Sequence, residues 1–202
     1  GKFAFLLAVL LAIIIAYPFF SKNLFAQIVV ITVGFLTILS ALWAVSNSMT
    51  VFIAGIALAV PTFAMNVINS LRPDDHFAFY AIPLAFAFYL LVNLSLLHSV
   101  VKTRVMTLDI LCGAVAVYLL IGINWALVYT YIDLCDPGAF RSSISILQPD
   151  QAFSHDFVYF SFVTLATLGY GDIVPVSTTA RTFAMLEAIV GALYIAVIIG
   201  KI

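Results

Sequence analysis

Six apolar runs, each of about 20 residues, dominate this sequence and restrict it to folds that lie in a membrane. A run of that length, wound as an α-helix, crosses a hydrocarbon layer of roughly 30 Å. Because lipid offers the backbone no hydrogen-bond partners, a spanning segment must satisfy its own N–H and C=O groups, as a helix does. We therefore predict an all-α membrane protein with six transmembrane helices, at residues 3–20, 24–45, 50–68, 77–97, 108–131 and 179–199.

The composition agrees with a membrane protein and argues against two other classes. Apolar residues make up 65% of the 202 residues and charged residues 8%, whereas soluble domains contain about 45–50% and 25%. With a net charge of −1 and no long run of Lys or Arg, the chain is not expected to bind nucleic acid. The three histidines are scattered, and no nucleophile–base pair or HExxH sequence occurs, so we do not expect an enzyme. The expected location is the cell membrane, crossed several times.

The most informative short motif is TLGYGD at positions 167–172, between a short helical pattern at 154–166 and the last apolar run. Two glycines around one aromatic residue let the backbone adopt conformations that other residues avoid, so that carbonyl oxygens rather than side chains face a ligand. A series of inward carbonyls is a cation site. Since GxG alone also occurs in nucleotide-binding loops and tight turns, the prediction depends on the flanking apolar helices.

In this context, residues 105–202 resemble the pore of the potassium-channel family, whose filter sequence is TVGYG. The layout is most similar to bacterial channels with six spanning helices and one pore loop per chain. The resemblance implies a re-entrant pore helix and a selectivity filter between helices five and six, assembled as a homotetramer in the lipid bilayer. It also implies K⁺ as the permeant ion, passive conduction and no cofactor. We assign residues 105–202 to a pore domain and residues 1–104 to a four-helix domain resembling a voltage-sensor bundle.

The resemblance also assigns roles to individual residues of the filter. K⁺ would bind the backbone carbonyls of Thr167, Leu168, Gly169 and Tyr170, together with the Thr167 hydroxyl. Leu168 stands where valine is commoner, and this change keeps the carbonyl. The residues implied to support the filter are Gly171, Asp172, Tyr159, Phe160 and Thr164.

Three of these supporting residues need comment. Tyr159 and Phe160 stand where many members of the family carry two tryptophans that brace the filter tyrosine; they keep aromatic bulk but lose the indole donors. Asp172 either hydrogen-bonds behind the filter or is a solvated acid at its mouth, and its place directly after Gly171 favours the first alternative.

The last helix is implied to line a cavity below the filter and to contain gating residues, namely Gly191, Ala192, Ile195, Ile199 and Glu187. Gly191 is either a hinge or a point of close helix packing. Glu187 lies inside the predicted span, where a charge costs about 2.5–3.5 kcal/mol or more. We therefore expect it to be protonated, or hydrogen-bonded to the pore helix or a neighbouring chain. We interpret it first as a structural brace and second as a gating or pH element.

Two further expectations concern the surroundings of the pore helix. The polar stretch 133–156 is predicted to be a loop around the pore mouth, closed by Ser154 as a helix cap, with Asp156 in the first turn. The carbonyl end of the pore helix, near Leu165 and Ala166, is implied to point towards the central cavity and to favour a cation there.

The first four helices lack the charges of a voltage sensor, which needs several basic side chains that move through the field. The fourth run, 77–97, contains no Lys or Arg; Lys102 and Arg104 follow it. We expect a channel that is weakly or not voltage-gated, with its stimulus left open. Because the chain stops near the expected convergence of the inner helices, either the gate needs no regulatory domain or that domain lies outside these residues.

Two alternatives stay open. A non-selective cation channel would use a related filter. A secondary transporter would show repeated halves and broken helices with matching motifs, whereas only one re-entrant segment is evident. A potassium-selective channel is therefore the favoured interpretation.

Overall fold

The computed structural model describes residues 1–20, 32, 34–35, 49–71, 75–103, 107–143 and 155–201. Within these residues the elements are, in order, α1 (Lys2–Phe20), α2 (Met49–Leu71), α3 (Asp75–Lys102), α4 (Leu108–Cys135), β1 (Phe140–Ser142), α5 (His155–Leu165), β2 (Ile173–Pro175) and α6 (Thr178–Lys201). The predicted second span, 24–45, lies almost entirely outside the described residues, as does the Ser154 cap.

Among the described residues, four helices are long and apolar enough to cross a membrane: Val51–Ile68 in α2, Phe77–Lys102 in α3, Leu108–Cys135 in α4 and Thr178–Gly200 in α6. Over its described side chains, Lys2–Ile15, α1 is a shorter apolar helix. Each of the predicted runs other than 24–45 is therefore helical, which confirms the helical class.

The central helix is α4, which contacts α1, α3, α5 and α6. Its first turn is capped by Thr107, whose side chain accepts a hydrogen bond from the N–H of Ile110 at 3.3 Å. Asp109 in the same turn accepts the backbone N–H groups of Phe3 at 3.1 Å and Ala4 at 3.0 Å. One carboxylate thus satisfies two of the free N–H groups at the start of α1 and attaches that helix to α4.

The remaining contact of α1 and α3 with α4 is apolar. Its buried side chains are Leu6 and Leu10 of α1, Phe88, Val92 and Leu96 of α3, and Ala116, Val117, Leu120 and Ile123 of α4. The small residues of α4 allow the larger side chains of its neighbours to approach its backbone, as is usual between helices in a membrane.

Two helices extend further than the sequence indicated. His98 was predicted to begin a break, but α3 continues to Lys102 because Val100 packs against Ala114 of α4. Asp133 was predicted to open a polar loop, but α4 continues to Cys135 and Asp133 is buried in its last turn. The backbone N–H groups of Gly138 and Phe140 hydrogen-bond to its carboxyl group, whereas Oδ1 has no hydrogen-bond partner among the described residues.

A two-stranded antiparallel sheet follows α4, and nothing in the sequence predicted it. Its pairs are Phe140 with Pro175, Arg141 with Val174 and Ser142 with Ile173. The N–H of Val176 also donates to the carbonyl of Ala139 at 2.7 Å. Because β1 precedes α5 and β2 follows the TLGYGD segment, the sheet ties the end of α4 to the exit of that segment.

With 11 residues, α5 is only about 16 Å long and is too short to cross a membrane. It packs against α4 and α6, and Asp156 lies in its first turn as expected. An aromatic cluster packs against the N-terminal half of α5. The ring of Tyr129 lies 5.0 Å from that of Phe160, and the ring of Phe140 lies 4.9 Å from that of Phe157. Both pairs are edge-to-face, the favoured geometry for aromatic rings.

Candidate functional site

Residues 167–172, named here the filter segment, begin where α5 ends. The N–H of Leu168 donates to the carbonyl of Val163 at 2.9 Å, and the N–H of Thr167 donates to that of Thr164 at 2.9 Å. This pair of bonds is the Schellman arrangement, which ends a helix with one residue in the left-handed conformation. Thr167 is that residue, with φ of 58°. The helix end therefore sets the direction in which the filter segment leaves α5.

Along the filter segment, left-handed residues alternate with others. Thr167, Gly169 and Gly171 have φ of 58°, 58° and 79°, and Leu168 and Tyr170 do not have positive φ. When left- and right-handed residues alternate, successive peptide groups point the same way, with N–H groups on one side and carbonyls on the other. A single backbone strand can thereby present a column of carbonyl oxygens.

The glycines of the filter segment are required for their backbone conformation and not because a side chain would clash. No heavy atom of non-neighbouring residues lies within 4 Å of a Cβ built on Gly169 or Gly171, but their φ values are unfavourable for other residues. Thr167 adopts the same φ with a Cβ present, at a cost of order 1–3 kcal/mol. Glycine at this position would relieve the strain. The presence of threonine therefore indicates that its side chain has a role.

Large apolar side chains of the filter segment are exposed in the single chain. Leu168 is 56% exposed and Tyr170 is 67% exposed. The resemblance implies that the Tyr170 ring packs away from the ions, and within one chain that ring has little cover. Exposed apolar surface of this kind is typical of a face that further protein covers.

A hydrogen bond joins the exit of the filter segment to α5. The Tyr159 hydroxyl donates to Oδ2 of Asp172 at 2.5 Å, and the N–H of Ile173 donates to Oδ1 at 3.0 Å. The Tyr159 hydroxyl, followed by the backbone N–H, holds the pKa of the Asp172 carboxyl below its usual value. Asp172 had two alternative roles, and the structure supports the first, a hydrogen bond behind the filter segment. The Tyr159 hydroxyl thus supplies a hydrogen-bond donor at a position where the absence of tryptophan was expected to leave none.

The Asp172 backbone is held as well. Its carbonyl accepts the N–H of Ser143 at 2.9 Å and the Ser143 hydroxyl at 3.2 Å. These bonds extend the pairing of β1 with β2 by one residue towards the filter segment. The end of α4, through β1, therefore helps to hold the exit of this segment.

The other two supporting residues act elsewhere. Phe160 is 5% exposed and belongs to the aromatic cluster with Tyr129 and Phe140. It therefore secures α5 on α4 within one chain, and the bracing of Tyr170 that the resemblance implied stays a prediction. Thr164 contributes its carbonyl to the Schellman arrangement.

Gly191 lets α6 approach the end of α5. A Cβ on Gly191 would lie 2.4 Å from the carbonyl oxygen of Leu165 and 3.0 Å from its Cδ1. The same carbonyl accepts the Tyr118 hydroxyl of α4 at 3.2 Å. The Leu165 carbonyl, expected to point into a cavity, is therefore enclosed between α4 and α6. Close packing, one of the two alternatives for Gly191, is what the geometry shows.

The α6 residues assigned to the cavity fall into two groups. Ala192, Ile195 and Ile199 are exposed, three and four residues apart, and so share one face of the helix. Gly191 and Glu187 are buried, and Glu187 has no exposed surface. The geometry favours the structural brace for Glu187, because its carboxyl group finds partners in α4 and α5.

Glu187 joins three helices through short contacts. Its Oε2 accepts the hydroxyl of Tyr129 of α4 at 2.5 Å, and its Oε1 lies 2.5 Å from Oγ of Ser161 of α5. Oγ of Ser161 also lies 2.7 Å from the carbonyl oxygen of Gly122 of α4. The expected hydrogen bond between Glu187 and the pore helix is present.

Sequence reasoning missed the partners of Glu187. Gly122 did carry a signal, because a glycine inside a spanning helix indicates close approach of another helix. A Cβ there would lie 2.6 Å from the ring of Phe162. Ser161 and Tyr129 carried none, since they are 26 and 58 residues from Glu187 and meet it only in the folded chain.

Comparisons with known proteins agree on this region. A family model described as "Ion channel" matches residues 105–202, which hold α4, α5, the filter segment and α6. "Protein LctB" of Bacillus caldotenax is 31% identical over 100 residues, which cover 49% of this chain and 74% of LctB. "Potassium channel protein kcv" of Paramecium bursaria Chlorella virus 1 is 41% identical over 46 residues, 22% of this chain and about half (49%) of that protein. No solved structure matches the chain.

Proposed function

Since this chain belongs to the potassium-channel superfamily, we propose that four copies of it form a channel that conducts K⁺ selectively and passively down its electrochemical gradient. That the chain is an ion channel and crosses the membrane several times follows from the family and the spanning helices. The ion, the selectivity and the number of subunits are the proposal. The observation that supports it is the alternation of positive φ with other values along the filter segment, a backbone pattern that allows successive carbonyls to face one side.

The tetramer follows from the geometry of ion binding. A K⁺ ion releases its water only where oxygen atoms surround it, and one chain offers a single column of carbonyls. Closed rotational symmetry places identical columns around one axis. The exposed apolar side chains of Leu168 and Tyr170 then become contacts between subunits or with the surrounding pore wall.

Within this arrangement we assign the following roles. The carbonyls of Thr167, Leu168, Gly169 and Tyr170 and the hydroxyl of Thr167 bind successive K⁺ ions. Gly171 carries the third left-handed φ at the exit. The exposed face of α6 with Ala192, Ile195 and Ile199 lines the cavity below.

We further propose that voltage has little influence on opening. A charge that crosses the membrane field contributes about 2.3 kcal/mol per 100 mV, so steep gating needs several charges per subunit. In α3, the helix that corresponds to a voltage sensor, the single Lys or Arg is Lys102 in the last turn.

The test is flux of K⁺ and Na⁺ through the purified protein in liposomes, followed by single-channel recording. Thr167→Ser keeps the hydroxyl and should retain K⁺ selectivity. Thr167→Gly accommodates the left-handed φ but lacks the hydroxyl, so we expect an assembled channel with weaker K⁺ selectivity. Leu94→Ala, on the exposed side of α3, is the control.

Other results would replace the proposal. Equal K⁺ and Na⁺ flux in the unsubstituted protein would make it a non-selective cation channel. Slow, saturable exchange instead of many ions per opening would make it a transporter. A steep conductance–voltage curve in the same bilayers would contradict weak voltage dependence.

A further inference from the structure

The contacts around Glu187 need one more proton than the hydroxyl groups supply. Three oxygen–oxygen contacts lie within hydrogen-bond distance: Tyr129 to Oε2, Ser161 to Oε1, and Ser161 to the Gly122 carbonyl. Each hydroxyl has a single proton, so Tyr129 and Ser161 together provide two. A backbone carbonyl has none to give. The third proton has to come from Glu187.

One assignment satisfies all three contacts. The Gly122 carbonyl can only accept, so the Ser161 proton is directed to it. Oγ of Ser161 then accepts from Oε1 of Glu187, which carries the added proton. Oε2 keeps its lone pairs and accepts from Tyr129. If Glu187 were ionised, either the Gly122 carbonyl or Oε1 would face Oγ of Ser161 without a proton between them.

Among the residues that the structure describes, no basic side chain neighbours Glu187 to balance a charge. It is fully buried in a helix that is long and apolar enough to cross the membrane. The titratable side chains that face it are Tyr129 and Tyr118 of α4, while α5 contributes the Ser161 hydroxyl. The ion pair found in the described part of the chain joins the N-terminus to Asp109 and does not involve Glu187. An unpaired buried carboxylate is costly, whereas a neutral acid with two hydrogen bonds is tolerated.

We propose that Glu187 is a neutral carboxylic acid whose proton positions the pore helix: Oε1–H donates to Ser161, Ser161 donates to Gly122, and Tyr129 donates to Oε2. The bonds form a closed path from α4 to α5, on to α6 and back to α4. Loss of the proton leaves Ser161 one proton for two acceptors, so that one of its two contacts, to Glu187 or to Gly122, is no longer a hydrogen bond, and it places a charge in a buried site.

The proton lies where it affects the filter segment. Ser161 is one turn before Leu165, whose carbonyl contacts Gly191 of α6. In the same turn of α5, the carbonyls of Val163 and Thr164 accept the N–H groups of Leu168 and Thr167, the first residues of the filter segment. An effect of the proton on ion selectivity rests on the proposed function above, whereas the protonation itself does not.

The sequence permits a direct test, since Glu187 is its one glutamate. Cell-free synthesis with glutamate labelled by ¹³C at the side-chain carboxyl marks Glu187 alone. In lipid nanodiscs at about pH 7, where a free glutamate is ionised, infrared and NMR spectra should show the labelled group as a neutral acid. A carboxylate signal at that pH would overturn the proposal.

Two variants link the signal to its partners. Ser161→Ala removes the acceptor of the proton and should shift the labelled signal. Ser95→Ala removes a hydroxyl that bonds within α3 to Leu91 and should leave the signal unchanged. An unchanged signal in Ser161→Ala would contradict the assignment of the proton to Oε1.

Functional variants then test positioning. Glu187→Gln can donate from its amide N–H to Ser161 and accept from Tyr129, so it should retain tetramer stability and ion selectivity close to those of the native protein. Glu187→Leu keeps bulk without hydrogen bonds and should lose K⁺ selectivity by about tenfold or more, or fail to assemble. If Gln is as harmful as Leu, the neutral acid does not position α5. If the native protein conducts Na⁺ as well as K⁺ while the labelled acid is neutral, the proposed function fails and the proton assignment stands.

Discussion

The helices on the two sides of α4 are held to it by different means. On one side, α1 and α3 contact α4 mainly through apolar side chains such as Leu10, Phe88 and Leu96, and Asp109 adds hydrogen bonds at the start of α1. On the other side, α5 and α6 add several hydrogen bonds and close backbone approaches to the aromatic cluster. Tyr118 donates to Leu165 of α5, and Tyr194 of α6 donates to the Ala114 carbonyl at 2.6 Å.

In a membrane this difference determines how firmly each side is positioned. Lipid tails are as apolar as leucine, so an apolar helix gains little by exchanging lipid for another apolar helix. A hydrogen bond between helices, or a glycine that admits another backbone, fits only one neighbour in one position. The side of α5 and α6, named here the pore side, is therefore defined more sharply than the side of α1 and α3, and it carries the filter segment.

Gly191→Ala should have the largest effect on K⁺ selectivity, because it acts directly at the end of α5, and it would break this distinction if it had none. Its Cβ would lie 2.4 Å from a backbone oxygen, which cannot move without displacing the end of α5. We expect loss of K⁺ selectivity or of the assembled channel, with overpacking that costs about 1–3 kcal/mol or more. The measurement is thermal dissociation of the oligomer together with liposome flux.

Gly200→Ala in the same helix is the matched control. No atom outside its own helix and neighbours lies within 4 Å of its Cβ position, and alanine is the better helix former. Equal damage from the two substitutions would mean that close approach to Leu165 is unimportant.

Removing a large buried side chain should harm the pore side more than the other side. Phe140→Ala empties the aromatic cluster around Tyr129, and in a protein core such a change costs about 3–5 kcal/mol. Leu96→Ala leaves a gap between α3 and α4 that neighbouring apolar side chains or lipid tails can fill. We expect a clearly lower dissociation temperature and weaker selectivity for Phe140→Ala alone. A larger loss of selectivity in Leu96→Ala would reverse the comparison.

Tyr159→Phe tests a single hydrogen bond on the pore side. The ring stays, but Asp172 loses the hydroxyl that donates to Oδ2. We expect K⁺ selectivity to fall by about two- to tenfold, the range of one hydrogen bond, in single-channel or liposome measurements. Tyr80→Phe, at a largely exposed tyrosine of α3, should change nothing. Full selectivity in Tyr159→Phe would show that Asp172 does not need this donor.

The smallest effect is expected from mild acid outside the channel. The pKa of Asp172 is lowered by the Tyr159 hydroxyl and a backbone N–H, so the folded state favours the carboxylate. Its stabilising contribution is present above the ordinary pKa of aspartate and is lost only as the pH falls through the lowered value. Selectivity should therefore stay constant between about pH 7 and pH 5. A fall within that range that Asp172→Asn abolishes would contradict the lowered pKa.

The helical class, the helices at the runs outside 24–45 and the position of the filter segment between α5 and α6 could be predicted because their signals are local. An apolar run of spanning length has few alternatives to a helix in lipid. The alternation of glycine with other residues in TLGYGD determines which positions accept a left-handed φ, and Gly169 and Gly171 adopt it. Thr167 was predicted as an ion ligand, but its left-handed φ follows from the way α5 ends.

Other features depend on residues that only the folded chain brings together. The pairing of β1 with β2, the donor from Tyr159 to Asp172 and the enclosure of the Leu165 carbonyl each join distant segments. Polarity alone placed Asp133 in a loop, whereas it is buried in the last turn of α4. The partners of Glu187, Tyr129 and Ser161, meet it only in the folded chain. A hydrogen bond requires two groups at about 3 Å, and a sequence shows the groups without the distance.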